Sequence, residues 1–469
     1  MQLPESFITR MKALLGEEYP AFEQALQKEQ SVSIRYNPLK TDFTPEAERV
    51  PWSSQGYYLK ERPAFTFDPL FHAGMYYVQE ASSMFLEQVL RQYVNEPVRY
   101  LDLCAAPGGK TTLAIASLPA GSLVVGNEIE RKRCHILAEN IQKWGSPRSM
   151  VMNNRAEDYG ALTHYFDVIL TDVPCSGEGM FRKDPQAIAE WSESNVLNCA
   201  SRQKTIMDAI WSALRPGGLL VYSTCTYNTE ENEEMLQYIC SELGAEVLPV
   251  AVDPAWGIHP ALTGKNPVYR FMPHTTRGEG LFMAVLRKNE EEEIERNKLI
   301  RDFLKKGQKK GAKGGAKEVS FPAHVKSWVC QPEQFQFEVK GDKLIAYPKA
   351  YADEMKMLSA SLHPLVEGVV LGSLKGKDVI PDHALALSTA LNREAFEVAE
   401  VDRETALSYL RRESVTLDPS IPKGFVLLTF QNHPLGWVKH LGNRSNNLYP
   451  QEWRIRSGYS PEEEWSALS

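Results

Sequence analysis

The chain is predicted to be an α/β protein built on a Rossmann-like parallel sheet, and three observations carry that expectation. Short apolar runs of strand type, at 98–103, 123–127, 168–170 and 218–222, alternate with longer stretches of helical character. A glycine-bearing turn, Ala105-Ala106-Pro107-Gly108-Gly109-Lys110, follows the first run and leads toward a helix. Two later runs end in residues that carry chemistry, Asp172 with Cys175 and then Cys225. In an open α/β sheet, ligands bind where the carboxyl ends of the strands open.

At 469 residues the chain is long enough for two or three domains, and 43% hydrophobic with 10% aromatic content suits packed cores. The first twenty residues are amphipathic and charged, and no long apolar run follows, so a cytoplasmic protein with no membrane partner is expected. Cys104, Cys134, Cys175, Cys199, Cys225, Cys240 and Cys330 are odd in number and form no C-x-x-C pair of the zinc-binding kind. They read as reduced thiols, and no metal is expected. A net charge of −8 and a pI near 5.8 supply no global basic surface for nucleic acid. Recognition depends on the local field, so composition leaves a metabolic enzyme and an RNA enzyme both open.

Residues 4–28 read as two short helices, with Phe7, Met11 and Leu14 and then Phe22 and Leu26 at apolar spacing. The stretch 31–40 is a short strand ending in a turn, and 74–85 leads toward a helix, with Gln79 and Ser82 near that junction. The first parallel strand runs 98–103, and a helix begins near Lys110. About twenty residues on, Leu123-Val124-Val125-Gly126-Asn127 ends in Glu128, where Rossmann-like folds bind ribose hydroxyls, so Glu128 is the candidate ribose ligand. The glycine pattern is not G-x-G-x-x-G, which disfavours a nicotinamide enzyme. The third strand lies around 150–152.

The stretch 171–181, TDVPCSGEGMF, is the centre of the chain. Pro174 ends both ladder pairing and helix, leaving Asp172 and Cys175 at a loop mouth. The polar neighbours of Cys175 favour a working thiol, while a packed small hydrophobe is the alternative. A helix is expected over 200–214, then a strand from 218 to Cys225, and a further helix capped by Thr229 with acids in its first turn. A loop at 270–275 precedes a last strand at 278–286, and His274 is open between RNA contact and a capped loop histidine. Residues 289–318 pass from an acidic run to Lys and Gly and read as a flexible linker. A separate globular region starts at 321. Its end, 424–455, alternates like short antiparallel strands around an Asn432-His433-Pro434 turn, and Lys439, Arg444 and Arg454 with Trp437 and Tyr449 mix cations with stacking faces.

Three separated motifs, LDLCAAPGGKTT at 101–112, DVPCSGEGMF at 172–181 and YSTCTY at 222–227, together resemble the RNA cytosine-5 methyltransferases of the Nop/Sun family, in that family's order and spacing. The resemblance implies a Rossmann-like S-adenosylmethionine-dependent methyltransferase domain at 98–288. Around it are implied an N-terminal RNA-binding α/β extension at 1–97, an intermediate α/β region at 319–420 and a PUA-like RNA-binding module at 421–469. It places S-adenosylmethionine against Cys104, Ala105, Ala106, Pro107, Gly108, Gly109 and Lys110, with Glu128 and Asp172. Arg155 stands where many relatives carry an acid facing the adenine, and Glu157 is a substitute candidate. Arg35 and Asn37 match residues of an RNA-holding extension, with simple solvation the alternative.

The resemblance also makes Cys225 the nucleophile toward carbon 6 of cytosine, Asp172 the partner of ring nitrogen 3, and Cys175 the thiol that helps break the adduct. The implied substrate is small-subunit (16S) ribosomal RNA, bound by a monomer. Transfer RNA is the second substrate reading, and a non-catalytic RNA-binding assembly factor is the reading from another class.

Overall fold

The computed structural model describes residues 2–289, 298–311, 321–376, 378–459 and 465–468. Helices Glu5–Leu15 and Tyr19–Leu26 open the chain and bury Phe7, Met11, Leu15, Phe22 and Leu26 against Phe181, Trp191, Val196 and Tyr227. The expected Leu14 packs against the same cluster partly buried, and Leu15 beside it is buried. These helices therefore cover the loops that follow Cys175 and Cys225. Strands β1 (Val32–Tyr36), β2 (Gly56–Leu59) and β3 (Tyr76–Val78) form an antiparallel sheet in the order β2-β1-β3.

Arg35 and Asn37 are buried, being 1% and 0% exposed, and Arg35 reaches only the floor of a small pocket beside Glu87 and Arg91, outside the clefts at the strand ends. Arg35 donates to Gln79 Oε1 at 2.7 Å and Thr112 Oγ1 at 2.7 Å, with its guanidinium 4.5 Å from the Trp144 ring centre. Asn37 donates to the carbonyls of Gly74 and Trp144. Both residues tie the small sheet to catalytic-domain helices, which corrects the RNA-holding and solvated readings alike. The planar guanidinium keeps neutral acceptors on Nε and Nη2 and an aromatic face beneath it, while its buried Nη1 has no partner among the described residues.

The central sheet is Rossmann-like. Strands β4 (Arg99–Asp102), β5 (Leu123–Asn127), β6 (Ser149–Met152), β7 (Phe166–Asp172) and β8 (Leu214–Thr224) pair in parallel. Strands β9 (Ala245–Leu248) and β11 (Leu281–Lys288), with β10 (Tyr269–Phe271) on the outer edge, complete one side in antiparallel pairing. Parallel strands need crossover connections, here helices Gly109–Ser117, Arg131–Trp144 and Glu193–Trp211, and their strands are buried on both faces. The last helix starts earlier than the expected 200 because Ser192 caps it, accepting from Asn195 N at 3.1 Å. The following helix is Glu233–Glu242, entered through Asn232 rather than Thr229.

The C-terminal half is bound more closely than expected. Within the expected linker, Lys298–Gly311 is a helix beside helix Ala352–Ser361, and Leu299, Ile300 and Phe303 pack on the apolar core that holds Met355 and Leu358. Its Lys-rich composition masked three apolar residues on one helical face. Linker residues 290–297 and 312–318 lie outside the described residues. Strands β12 (Phe335–Lys340) and β13 (Lys343–Pro348) open a second antiparallel sheet, but β14 (Pro364–Glu367) leaves it and pairs with β6 at the edge of the central sheet. Strands β15 (Val369–Lys375) and β16 (Asp378–Pro381) finish the second sheet.

The last sheet joins β17 (Glu397–Glu400), β18 (Gly424–Phe430), β19 (His433–His440) and β20 (Ser445–Asn447). The β18–β19 hairpin turns on Gln431 and Asn432, both at positive φ, so His433 and Pro434 already belong to the strand. Its core merges with the N-terminal sheet: Tyr36, Tyr57, Phe65 and Tyr76 share one cluster with Tyr409, Val426, Leu428 and Tyr449. The region from 321 onward is therefore not a separate unit. Trp437 and Tyr449 are each 1% exposed, so they are core residues and offer no stacking face. Lys439, Arg444 and Arg454 are exposed.

Candidate active site

The site lies at the carboxyl ends of β4, β5, β7 and β8. Strand order reverses between β4, which continues to β5, and β7, which continues to β8. Such a reversal opens a crevice between the diverging loops. A cleft of about 760 Å³ there is lined by Cys104, Ala106, Glu128, Arg155, Asp172 and Cys225, among others. A second cleft of about 340 Å³ adjoins it and is reached by Gln79, Asp102, Lys110, Lys183 and Gly280. Asp172, Cys225, Cys104, Ala106 and Met180 line both, so the carboxylate and the thiol stand where the two meet.

The first loop brings residues 104–110 under this crevice. Gly108 takes φ 114°, a left-handed conformation that a side chain would strain, and it starts helix Gly109–Ser117 with its N-terminus toward the crevice. A Cβ on Gly109 would lie 3.3 Å from the Tyr77 ring, so glycine lets the turn pack closely under β3 without displacing that ring. Asn127 at the end of β5 fastens the neighbouring loops by donating to the Leu103 and Asn154 carbonyls, each at 3.0 Å. Glu128 follows it, 2% exposed, accepting from Glu130 N at 3.0 Å with Arg133 at 3.6 Å. Arg155 and Glu157 line the far end of the large cleft.

Asp172 is held on both oxygens. Lys110 Nζ lies 2.7 Å from Oδ2, and Ser223 Oγ donates to Oδ1 at 2.7 Å. Parallel pairing of β7 and β8 sets Asp172 opposite Ser223, so the strand register makes the second bond. Burial works against the Lys110 ammonium, but Asp172 and its hydrogen bond outweigh it and the net displacement is upward. Asp102, deeper in the crevice, accepts from Thr111 at 2.6 Å while its Oδ1 has no partner among the described residues. Burial pushes it up to about 7.

Cys175 and Cys225 end adjacent strands, and their sulfurs are 3.2 Å apart. Cys225 N also points at Cys175 Sγ at 3.4 Å. The contact with Cys225, and then burial, hold the Cys175 thiol well above the ordinary range. The structure thus brings together the candidates that follow β4, β7 and β8, with Glu128 at the opposite wall. His274 is placed elsewhere, 2.9 Å from Glu18 and edge-on to Phe22, as a loop histidine. Ser223 escaped the sequence reading. The signal for it was the equal distance of Ser223 and Asp172 from the aligned centres of their strands. All seven cysteines are free thiols, and no helix among the described residues is long and apolar enough to cross a membrane.

Similar chains agree with this architecture. The family model "16S rRNA methyltransferase RsmB/F" matches residues 88–287, the "N-terminal domain of 16S rRNA methyltransferase RsmF" matches 3–81, and the "Methyltransferase RsmF PUA domain" matches 396–455. The chain is 32% identical to ribosomal RNA small subunit methyltransferase F of Klebsiella pneumoniae and 31% identical to its namesake from Escherichia coli O7:K1, each over 97% of both chains. Among solved structures, a methyltransferase homologue from Pyrococcus horikoshii is 28% identical with a TM-score of 0.52, covering 61% of this chain and 95% of its own. NSun6 from the same organism, solved with SFG, shares the fold at 21% identity and a TM-score of 0.53, over 61% and 99% of the two chains. With identity above 30% sustained along nearly its whole length, the chain belongs to the ribosomal RNA small subunit methyltransferase F family, whose methyl donor is S-adenosylmethionine.

Proposed function

We propose that this chain methylates carbon 5 of a cytosine in small-subunit ribosomal RNA through a covalent bond between Cys225 and carbon 6. One observation carries the reading: two thiols 3.2 Å apart at neighbouring strand ends, beside a carboxylate fixed on both oxygens. The substrate follows from the names of the full-length relatives. The donor set fits S-adenosylmethionine: Glu128 offers a carboxylate to a ribose diol, the Gly109 helix N-terminus suits a carboxylate, and the unpartnered Asp102 Oδ1 suits an ammonium.

Carbon 5 of cytosine is a weak nucleophile until a thiolate adds at carbon 6. Cys225 makes that bond as a thiolate, its proton having left to water, and ring nitrogen 3, where negative charge develops, takes a proton through Asp172 and gives it back when the adduct collapses; Lys110 and Ser223 hold the Asp172 carboxyl in place. When bound, S-adenosylmethionine supplies an electrophilic methyl group to carbon 5. The proton on carbon 5 then leaves to water and the Cys225–carbon 6 bond breaks. The resemblance makes Cys225 the attacking thiol, and Cys175, whose thiol is held above its ordinary range by the contact with Cys225 and by burial, can donate a hydrogen bond to the departing Cys225 sulfur. The exposed Lys439, Arg444 and Arg454 can meet phosphates of the RNA. We read the working unit as a monomer acting in the cytoplasm, a reading supported by a site that the described residues of one chain can build and by the ribosomal substrate named for the relatives.

The test is incubation with methyl-labelled S-adenosylmethionine and, in parallel, unmethylated small ribosomal subunits or transfer RNA, followed by nucleotide mapping. Labelled 5-methylcytosine in 16S RNA, absent with Cys225→Ala, is expected. Label confined to transfer RNA, or turnover retained by Cys225→Ala, contradicts the reading.

A further inference from the structure

Behind the two thiols lie two carboxylates, Glu178 and Glu231, 1% and 0% exposed, that line neither cleft and form no ion pair among the described residues. Glu178, three residues after Cys175, turns away from its own loop. Its Oε2 accepts from Thr226 Oγ1 at 2.7 Å, Tyr227 N at 2.7 Å and Asn228 N at 3.0 Å, the three residues that follow Cys225. Its Oε1 accepts from Trp191 Nε1 at 2.9 Å. Glu231, six residues after Cys225, does the converse. It accepts from Ser176 N, the residue following Cys175, at 3.0 Å, and from Gln203 Nε2 and Asn228 Nδ2, each at 2.8 Å.

We infer that Glu178 and Glu231 are positioning residues forming a reciprocal clamp, in which each thiol's loop is fixed by the carboxylate of the other. The inference rests on the proposed roles of Cys175 and Cys225. The physical reason for carboxylates is the number of donors: an ionised carboxyl accepts on both oxygens and offers no N–H of its own. Glutamine at 178 can satisfy the three donors on Oε2 only by turning its amide N–H₂ toward the Trp191 N–H, donor against donor. At 231 the same swap sets an N–H₂ against Ser176 N, Gln203 or Asn228. An isosteric change therefore loosens the clamp without emptying space.

Thiol spacing can be read without any catalysis, by oxidising the full chain with the azo compound diamide. It takes up two hydrogens as Cys175 and Cys225 form one S–S bond, which peptide mass spectrometry quantifies. Cross-linking in Glu178→Gln and Glu231→Gln is expected to slow at least about tenfold against the parent, with kcat falling about 10–100-fold. The KM for S-adenosylmethionine should be unchanged, since neither residue lines a cleft. Trp191→Phe, which removes core volume and the Oε1 donor but leaves the three Oε2 bonds, should cross-link at the parent rate and separates positioning from lost stability. If a glutamine variant does not fold, Thr226→Val opens the same clamp from the donor side and should slow cross-linking severalfold. Parent-rate cross-linking in the folded glutamine or valine variants overturns the clamp. Slowed cross-linking together with turnover retained by Cys225→Ala would leave the clamp standing and remove the catalytic roles instead.

Discussion

Asp102 and Glu128 end neighbouring strands of the crevice, and each makes a residue-scale prediction. Asp102 rises from an ordinary 3.8 to about 7 on folding because burial disfavours its charge. The folded state therefore holds this proton more tightly than the unfolded chain, so its stabilising contribution is full below about pH 4 and is lost as pH rises toward 7. Asp102→Asn removes that dependence: relative to the parent, the variant should gain on the order of 4 kcal/mol between pH 4 and 7 and then stay level. Urea unfolding across that range measures it, and a constant difference would contradict the assignment. Glu128→Ala should weaken S-adenosylmethionine binding by about 1.5–3 kcal/mol, the worth of hydrogen bonds to a charged group, and titration calorimetry checks this. At this scale the residue types were legible and their surroundings were not. Cys175, Cys225, Asp172 and Glu128 stood at strand ends and met across the crevice. Arg35, Trp437 and Tyr449 have polar or aromatic character that suggests RNA contact, yet tertiary packing buries them, and no local pattern marks that.

Among the elements, the five parallel strands could be read because each is a short apolar run closed by a turn or a functional residue. Helix Lys298–Gly311 could not, because only Leu299, Ile300 and Phe303 anchor it amid lysines and glycines. A few apolar residues on one face suffice when a partner surface is waiting for them. Amides at 300–305 should consequently exchange well below the rate of an unstructured tether. Phe303→Ala should raise that exchange selectively, with a stability loss of about 1–2 kcal/mol for a half-buried ring. Free exchange in the parent would restore the linker reading. Strand β14 was invisible for a related cause: its place beside β6 depends on a partner more than two hundred residues away.

For the whole molecule, the N-terminal sheet and the C-terminal module share one apolar cluster, and β14 covers an edge of the catalytic sheet. Removing residues 321–469 would expose Tyr36, Tyr57, Phe65 and Tyr76 and reopen that edge, so the remainder should self-associate on size exclusion and bind hydrophobic dye. A monodisperse fragment with parent cofactor affinity would contradict this. The central claim concerns the division of labour between two thiols 3.2 Å apart, and denaturing electrophoresis with substrate RNA tests it most directly. Cys175→Ala should attack and methylate but stall with RNA attached, giving a slow-migrating complex that vanishes in Cys175→Ala/Cys225→Ala. A stable complex formed by Cys225→Ala instead, or none from either single variant where the parent is active, would contradict the account.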